Sequence, residues 1–158
     1  MSETLTADKG KVIAYYNKAK NGRKVWLETI FGIKTFQPEI KERIKTFDDV
    51  LRENGVKRSV FENNIQDLTT DEVAYKMLKE IVKAFNEGWV PDWTDSTQYK
   101  YYAYFKMGSP SGGGFSCYDF GHWDAVSIVG SRLCYKSADL AKHAGQLFEN
   151  VYKDFLTL

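Results

Sequence analysis

Two cysteines, Cys117 and Cys134, are too few for the disulfide framework that staples small secreted domains. No apolar run approaches the roughly 18 residues that a membrane-spanning helix needs. The opening residues Met1-Ser2-Glu3-Thr4-Leu5-Thr6 have neither the basic nor the apolar region of a signal peptide. Together these absences predict a cytoplasmic chain with reduced thiols and no membrane partner. Excess charge is missing too: 22 basic residues face 21 acidic ones, leaving almost nothing to steer a polyanion toward the molecule as a whole. Internal repeats are lacking, and so is any compositional sign of disorder, because 43% hydrophobic residues suffice for a core.

The motifs of catalysis and cofactor binding are also missing. Gly112-Gly113-Gly114 is not followed by the Gly-Lys-Ser/Thr of a phosphate loop and reads as a flexible hairpin tip. Cys117, His122 and Cys134 are three soft ligand types without a Cys-x-x-Cys pair, where a structural zinc site takes four ligands. Buried cysteines of this kind act as small hydrophobes. Cys117, His122 and Asp119 or Asp124 supply the types for a nucleophile, a base and an orienting acid. No nucleophile elbow or cysteine-protease signature surrounds them. His143, among polar positions of the last helix, is expected to face solvent. The sequence therefore predicts no metal, no cofactor, no catalytic residues and a chain that is not an enzyme.

What is present is aromatic and unevenly charged. Phe, Trp and Tyr make up 15% of the chain. Residues 1–60 carry 13 Lys/Arg against 8 Asp/Glu, and residues 61–158 carry 9 against 13. Lys9, Lys11, Lys18, Lys20, Arg23 and Lys24 gather at the front, either as a phosphate-binding edge or as the wet side of amphipathic helices.

Periodicity then orders the chain. Asp8 caps a helix to about Lys20, which Asn21-Gly22 ends through a left-handed backbone. A second helix runs to Phe31, with Trp26, Leu27, Ile30 and Phe31 on one face and Gly32 closing it; the two form a helical hairpin. Pro38 holds Gln37 extended, and residues 39–45 read equally as helix or strand. Thr46 caps a helix over about 47–54, stopped by Asn54-Gly55. Residues 56–68 read as irregular. Thr69-x-x-Glu72 is a capping box opening a helix over about 70–86, whose stripe is Val73, Ala74, Met77, Leu78, Ile81, Val82 and Phe85. Gly88 caps its end and Pro91 prevents it from resuming.

From Gln98 the period becomes two. Tyr99, Tyr101, Ala103, Phe105 and Met107 take one face, and Lys100, Tyr102, Tyr104 and Lys106 the other. A Gly/Ser-rich turn over 108–114 leads to a second strand at 115–120. A third segment at 125–129 comes next, then a bend at Gly130 and a strand at 131–136. Ser137 caps a last helix of about 138–156, whose stripe of Leu140, Ala144, Leu147, Phe148, Val151, Tyr152 and Phe155 needs the sheet as its partner. The predicted fold is α+β: an N-terminal helical lobe of about four helices over 8–87, then a three-stranded antiparallel meander with its long C-terminal helix over 98–156. All of it is one domain, 1–158.

Two stretches are candidates for binding. The face Lys100, Tyr102, Tyr104, Lys106 offers rings to stack and ammonium groups to meet phosphates, provided the last helix packs on the opposite face. Tyr and Lys also serve simply as strand former and solubiliser. Trp89, Asp92 and Trp93 mark the helix-to-strand joint, where they read as a staple rather than a ligand pocket, with Asp92 or Asp95 accepting from an indole N–H.

Further segments are Leu27-Glu28-Thr29-Ile30-Phe31-Gly32, Glu42-Arg43-Ile44-Lys45-Thr46-Phe47-Asp48-Asp49 and Ala84-Phe85-Asn86-Glu87-Gly88-Trp89-x-Pro91-Asp92-Trp93. Tyr99-Lys100-Tyr101-Tyr102 and Gly130-Ser131-Arg132-Leu133-Cys134-Tyr135-Lys136-Ser137 complete the set. On these the chain resembles a family of uncharacterised small proteins from gut-bacterial phages, prophages and mobile elements. Relatives tend to have proline where this chain has Ala103. The resemblance implies a source in phage or mobile DNA and, since the family has no assigned activity, no site residues. The expectation is a non-enzymatic protein-protein interaction module with a protein partner. The alternative is a nucleic-acid-binding protein using the Lys/Tyr strand face and the basic N-terminal helices.

Overall fold

The structure, a computed structural model, describes residues 6–108, 114–124 and 132–157. It is α+β, with helices α1 Lys9–Lys18, α2 Asn21–Phe31, α3 Ile40–Arg43, α4 Phe47–Glu53, α5 Arg58–Asn63 and α6 Thr70–Asn86. Strands β1 Lys100–Lys106 and β2 Ser116–Trp123 come after them, then α7 Ala138–Leu147 and α8 Glu149–Leu156. Contacts divide the chain into two compact units, Met1–Glu39 and Ile40–Leu158. The dividing point thus falls within the expected helical lobe rather than between it and the sheet. Its physical reason is the core, where α3, α4 and α6 share one apolar cluster with β1, α7 and α8.

In the first unit Asp8 caps α1 by accepting from Lys11 N at 2.8 Å. The break before α2 lies at Ala19 and Lys20, both extended, so Asn21-Gly22 opens α2 instead of ending α1. The left-handed position falls at Gly32 (φ 77°), where a 3₁₀ turn, Ile33–Phe36, begins. Rings hold this unit together. Tyr16 stacks on Phe36 at 4.0 Å, Phe31 meets Phe36 edge-on, and the Tyr16 hydroxyl donates to the Glu28 carboxylate.

In the second unit the capping motifs act as the sequence predicts. Thr46 with Asp49 and Thr69 with Glu72 both form capping boxes, and Ser137 accepts from Leu140 N. Hydrogen bonds donated to the Asp49 carboxylate, the Thr46 hydroxyl first and then the backbone N–H groups of Lys45 and Thr46, pull its pKa down to about 2. Residues 58–63, expected to be irregular, form α5, which buries Phe61 against Phe47 at 5.0 Å. Helix α6 turns left-handed at Glu87 (φ 49°), one residue before Gly88 (φ 91°). The Glu87 carboxylate holds that turn in place through Arg43 at 2.6 Å and Lys136 at 3.0 Å.

The sheet has two antiparallel strands among the described residues, with a bulge between Tyr104 and Phe105. Of the expected third strand, 125–131 lies outside the described residues, as does most of the Gly/Ser-rich turn (109–113). Among the described residues, the segment leading into α7 meets β1 at one antiparallel bridge, where Tyr101 and Tyr135 exchange both backbone hydrogen bonds at 3.0 and 2.7 Å. The expected long last helix is two helices, broken at Phe148 (φ −114°, ψ 32°). The break lets α7 lie on the sheet while α8 packs along α6, two directions that one straight stripe cannot serve. Gly145 permits the first contact: a Cβ there would sit 2.7 Å from both Ala103 Cβ and Cys117 Sγ.

Candidate functional site

The β1–β2 register sets the geometry of the ribbon. Tyr101, Ala103 and Phe105 lie opposite His122, Phe120 and Cys117, while Lys100 and Tyr102 lie opposite Trp123 and Gly121. Helix α7 touches Ala103 and Cys117, so it packs opposite the predicted Lys/Tyr face. That face is nevertheless not an open platform. Lys100 is 0% exposed: its Nζ donates to Asp95 O at 2.8 Å and lies 5.4 Å from the centre of the Trp93 ring. Tyr102 is half-buried, its ring lying across Gly121 and stacked on Trp123 at 4.1 Å. Tyr104 and Lys106 stay exposed, with the Lys106 ammonium 4.3 Å over the Tyr118 ring. Reading Lys100 as a surface cation is thus corrected: the 89–98 loop folds over it, and strand alternation carries no information about what a preceding loop covers.

The open aromatic surface is on the other face, the one that α7 packs against at Ala103 and Cys117. Tyr99 meets His122 at 4.7 Å and Tyr101 at 6.3 Å, and Tyr101 meets Phe120 at 5.8 Å. Tyr99 is 50% exposed and Phe120 39% exposed, with His122 exposed between them and Tyr101 half-buried beneath. These four rings form one contiguous cross-strand ladder. The sequence pattern placed Tyr99 and Tyr101 on the face turned to the last helix. It could not show which rings of that face stay exposed once α7 packs against Ala103, Phe105 and Cys117.

The 89–98 loop is built by two side-chain turns. Asp92 accepts from Thr94 N and Oγ1 at 2.8 and 2.7 Å, and Asp95 accepts from Thr97 N and Oγ1 at 2.8 and 2.6 Å. These donors, the threonine hydroxyl first in each case, hold both carboxyls below the ordinary aspartate range. The two carboxylates shape the loop, and neither serves an indole N–H as expected. Trp89 and Trp93 line a groove of about 600 Å³ against α6, where they were expected only to staple the joint.

The other candidates are kept apart. Among the described residues no group of three His, Cys, Asp or Glu side chains can hold a metal ion. Cys117 faces α7 near Lys142 O, and burial, then Glu149, raises its thiol pKa, the opposite of an activated nucleophile. Cys134 is buried at the end of α6, its pKa pushed up to about 11 by burial. His122 belongs to the aromatic ladder. His143 does not face solvent: its Nε2 is buried without a hydrogen-bond partner and its ring meets Phe85 edge-on at 5.9 Å. Of the six basic residues in α1, α2 and their link, Lys24 lies over the Tyr16 ring and Arg23 donates to the Tyr15 hydroxyl. Among the described residues no helix is long and apolar enough to cross a membrane. Compared with family models, curated proteins and solved structures, the chain matches none.

Proposed function

We propose that the chain is a non-enzymatic protein-interaction module of the phage or mobile-element type, and that it docks a protein partner through the β1–β2 ribbon. One observation carries this reading: the Tyr99, Tyr101, Phe120, His122 ladder is contiguous, with Tyr99, Phe120 and His122 open to solvent. Scattered exposed apolar residues are ordinary, but a connected aromatic patch is the composition of an interface centre. Tyr104, Lys106 and Tyr118 on the opposite face extend the contact around the same ribbon. The test is affinity capture from a gut-bacterial lysate, with and without nuclease, using the wild-type chain and Phe120→Glu. A protein retained after nuclease and lost with Phe120→Glu supports the reading. Capture that vanishes with nuclease transfers the function to nucleic-acid binding, and capture indifferent to Phe120→Glu removes the ladder as the docking face.

A further inference from the structure

The groove between α6 and the 89–98 loop is separate from the ladder, and its chemistry is different. It encloses about 600 Å³, within the range of roughly 300–1,000 Å³ typical of small-ligand sites. Its wall is the pair of indoles, Trp89 and Trp93, each half-buried, with Pro91 between them. Its charged lining is Lys79, Lys83 and Arg132, with no carboxylate among the described residues that line it. Lys79 and Lys83 stand four residues apart on α6 and so share one helix face. Both are exposed, as is Arg132, and among the described residues no ion pair holds Lys83 or Arg132. Lys79 lies over the Tyr75 ring at 5.6 Å and can swing to a ligand without breaking an ion pair. Lys100, fully buried outside the groove's lining, places its Nζ 5.4 Å from the centre of the Trp93 ring.

Flat apolar walls select a planar ring, and three cations without an acid select an anion on that ring. We propose that this groove binds a nucleoside phosphate, the indoles stacking on the base and Lys83 and Arg132 meeting the phosphate. Phosphate rather than carboxylate is indicated because separate cations approach it from α6 and from residue 132, and a phosphate offers three oxygens to receive them. The amide of Asn86, the remaining polar side chain of the lining, is already committed to Cys134 O and Lys136 N at 2.8 and 3.0 Å. No free side-chain amide therefore reads the base edge, and stacking alone discriminates poorly between bases.

The test uses the full chain and the indole N–H signals of its four tryptophans in proton–nitrogen correlation spectra. Adenosine monophosphate at low ionic strength should shift the Trp89 and Trp93 signals saturably and leave Trp26 unmoved. Uridine monophosphate should bind within a few-fold of it. Adenosine alone and inorganic phosphate alone should each bind at least about tenfold more weakly, as should adenosine monophosphate to Lys83→Glu or Arg132→Glu. Both substituted residues are exposed, so a dispersed, unchanged remainder of the spectrum verifies the fold. A 5′-phosphorylated oligothymidylate distinguishes a free nucleotide from the end of a nucleic-acid strand: whichever binds more tightly through the same indoles is the source of the same base-plus-phosphate chemistry. The proposal is overturned by the absence of saturable shifts at millimolar nucleotide, by variants of undiminished affinity, or by tighter binding of an aromatic carboxylate such as indole-3-acetate.

Discussion

Asn86 shows how one side chain can replace a missing piece of backbone pairing. It is 4% exposed, and its amide both donates to Cys134 O and accepts from Lys136 N, as a neighbouring strand would. Asn86→Ala removes both hydrogen bonds and should cost about 1–3 kcal/mol in urea unfolding. The buried hydroxyl pair of Tyr135 and Tyr152 at 2.8 Å is a second such contact, and burial raises both phenol pKa values. Tyr152→Phe strands one hydroxyl and should cost about 1–2 kcal/mol. His143 carries a pH dependence. Burial, then Lys45 and Lys41, lowers its pKa below 6.5, while Asp139 opposes them. The unfolded chain therefore binds the proton more readily, so stability present above about pH 6.5 is lost as pH falls through the folded-state pKa. Unfolding midpoints measured between pH 7 and 5 should fall less steeply for His143→Gln than for the wild-type chain.

At the scale of elements, the joint between α7 and the sheet depends on Gly145. Alanine normally favours a helix interior over glycine by about 1 kcal/mol, but here its methyl would lie 2.7 Å from Ala103 Cβ and Cys117 Sγ. Overpacking outweighs propensity, and Gly145→Ala should destabilise the chain by about 1–3 kcal/mol. A gain in stability on that substitution would show that the helix can lift off the sheet freely. Local chemistry explains which elements the sequence revealed. Thr46, Thr69 and Ser137 cap their own helices, and the stripe of α6 repeats at helical period over 17 residues. The alternation of β1 was legible for the same reason. Helix α5 was not, because its six residues carry no side-chain cap at Lys57. Nor was the break at Phe148, which neither proline nor glycine marks and which results from two packing partners. The candidate site was legible as a stretch but not as a surface. Which ring of Tyr99–Lys106 faces solvent depends on what α7 and the 89–98 loop cover, both set by tertiary contact.

At the scale of the whole molecule, two units carry two kinds of surface. The main apolar cluster lies wholly in the second, from Ile40 to Phe155, whereas α1 buries no residue and α2 buries Leu27. Residues 40–158 alone should therefore unfold in one cooperative urea transition, and a broad, non-sigmoidal loss of helix signal would show that the first unit is needed for the core. The first unit leaves Val25, Trp26, Ile30 and Ile33 more than half exposed, so the ladder on β1–β2 has a competitor as docking face. Hydrogen–deuterium exchange of the full chain, with and without the protein it captures, separates them. If the ladder is the docking face, partner-dependent protection concentrates in peptides spanning 99–105 and 117–123. Protection confined to residues 21–36, with the ribbon exchanging as in the free chain, would contradict it.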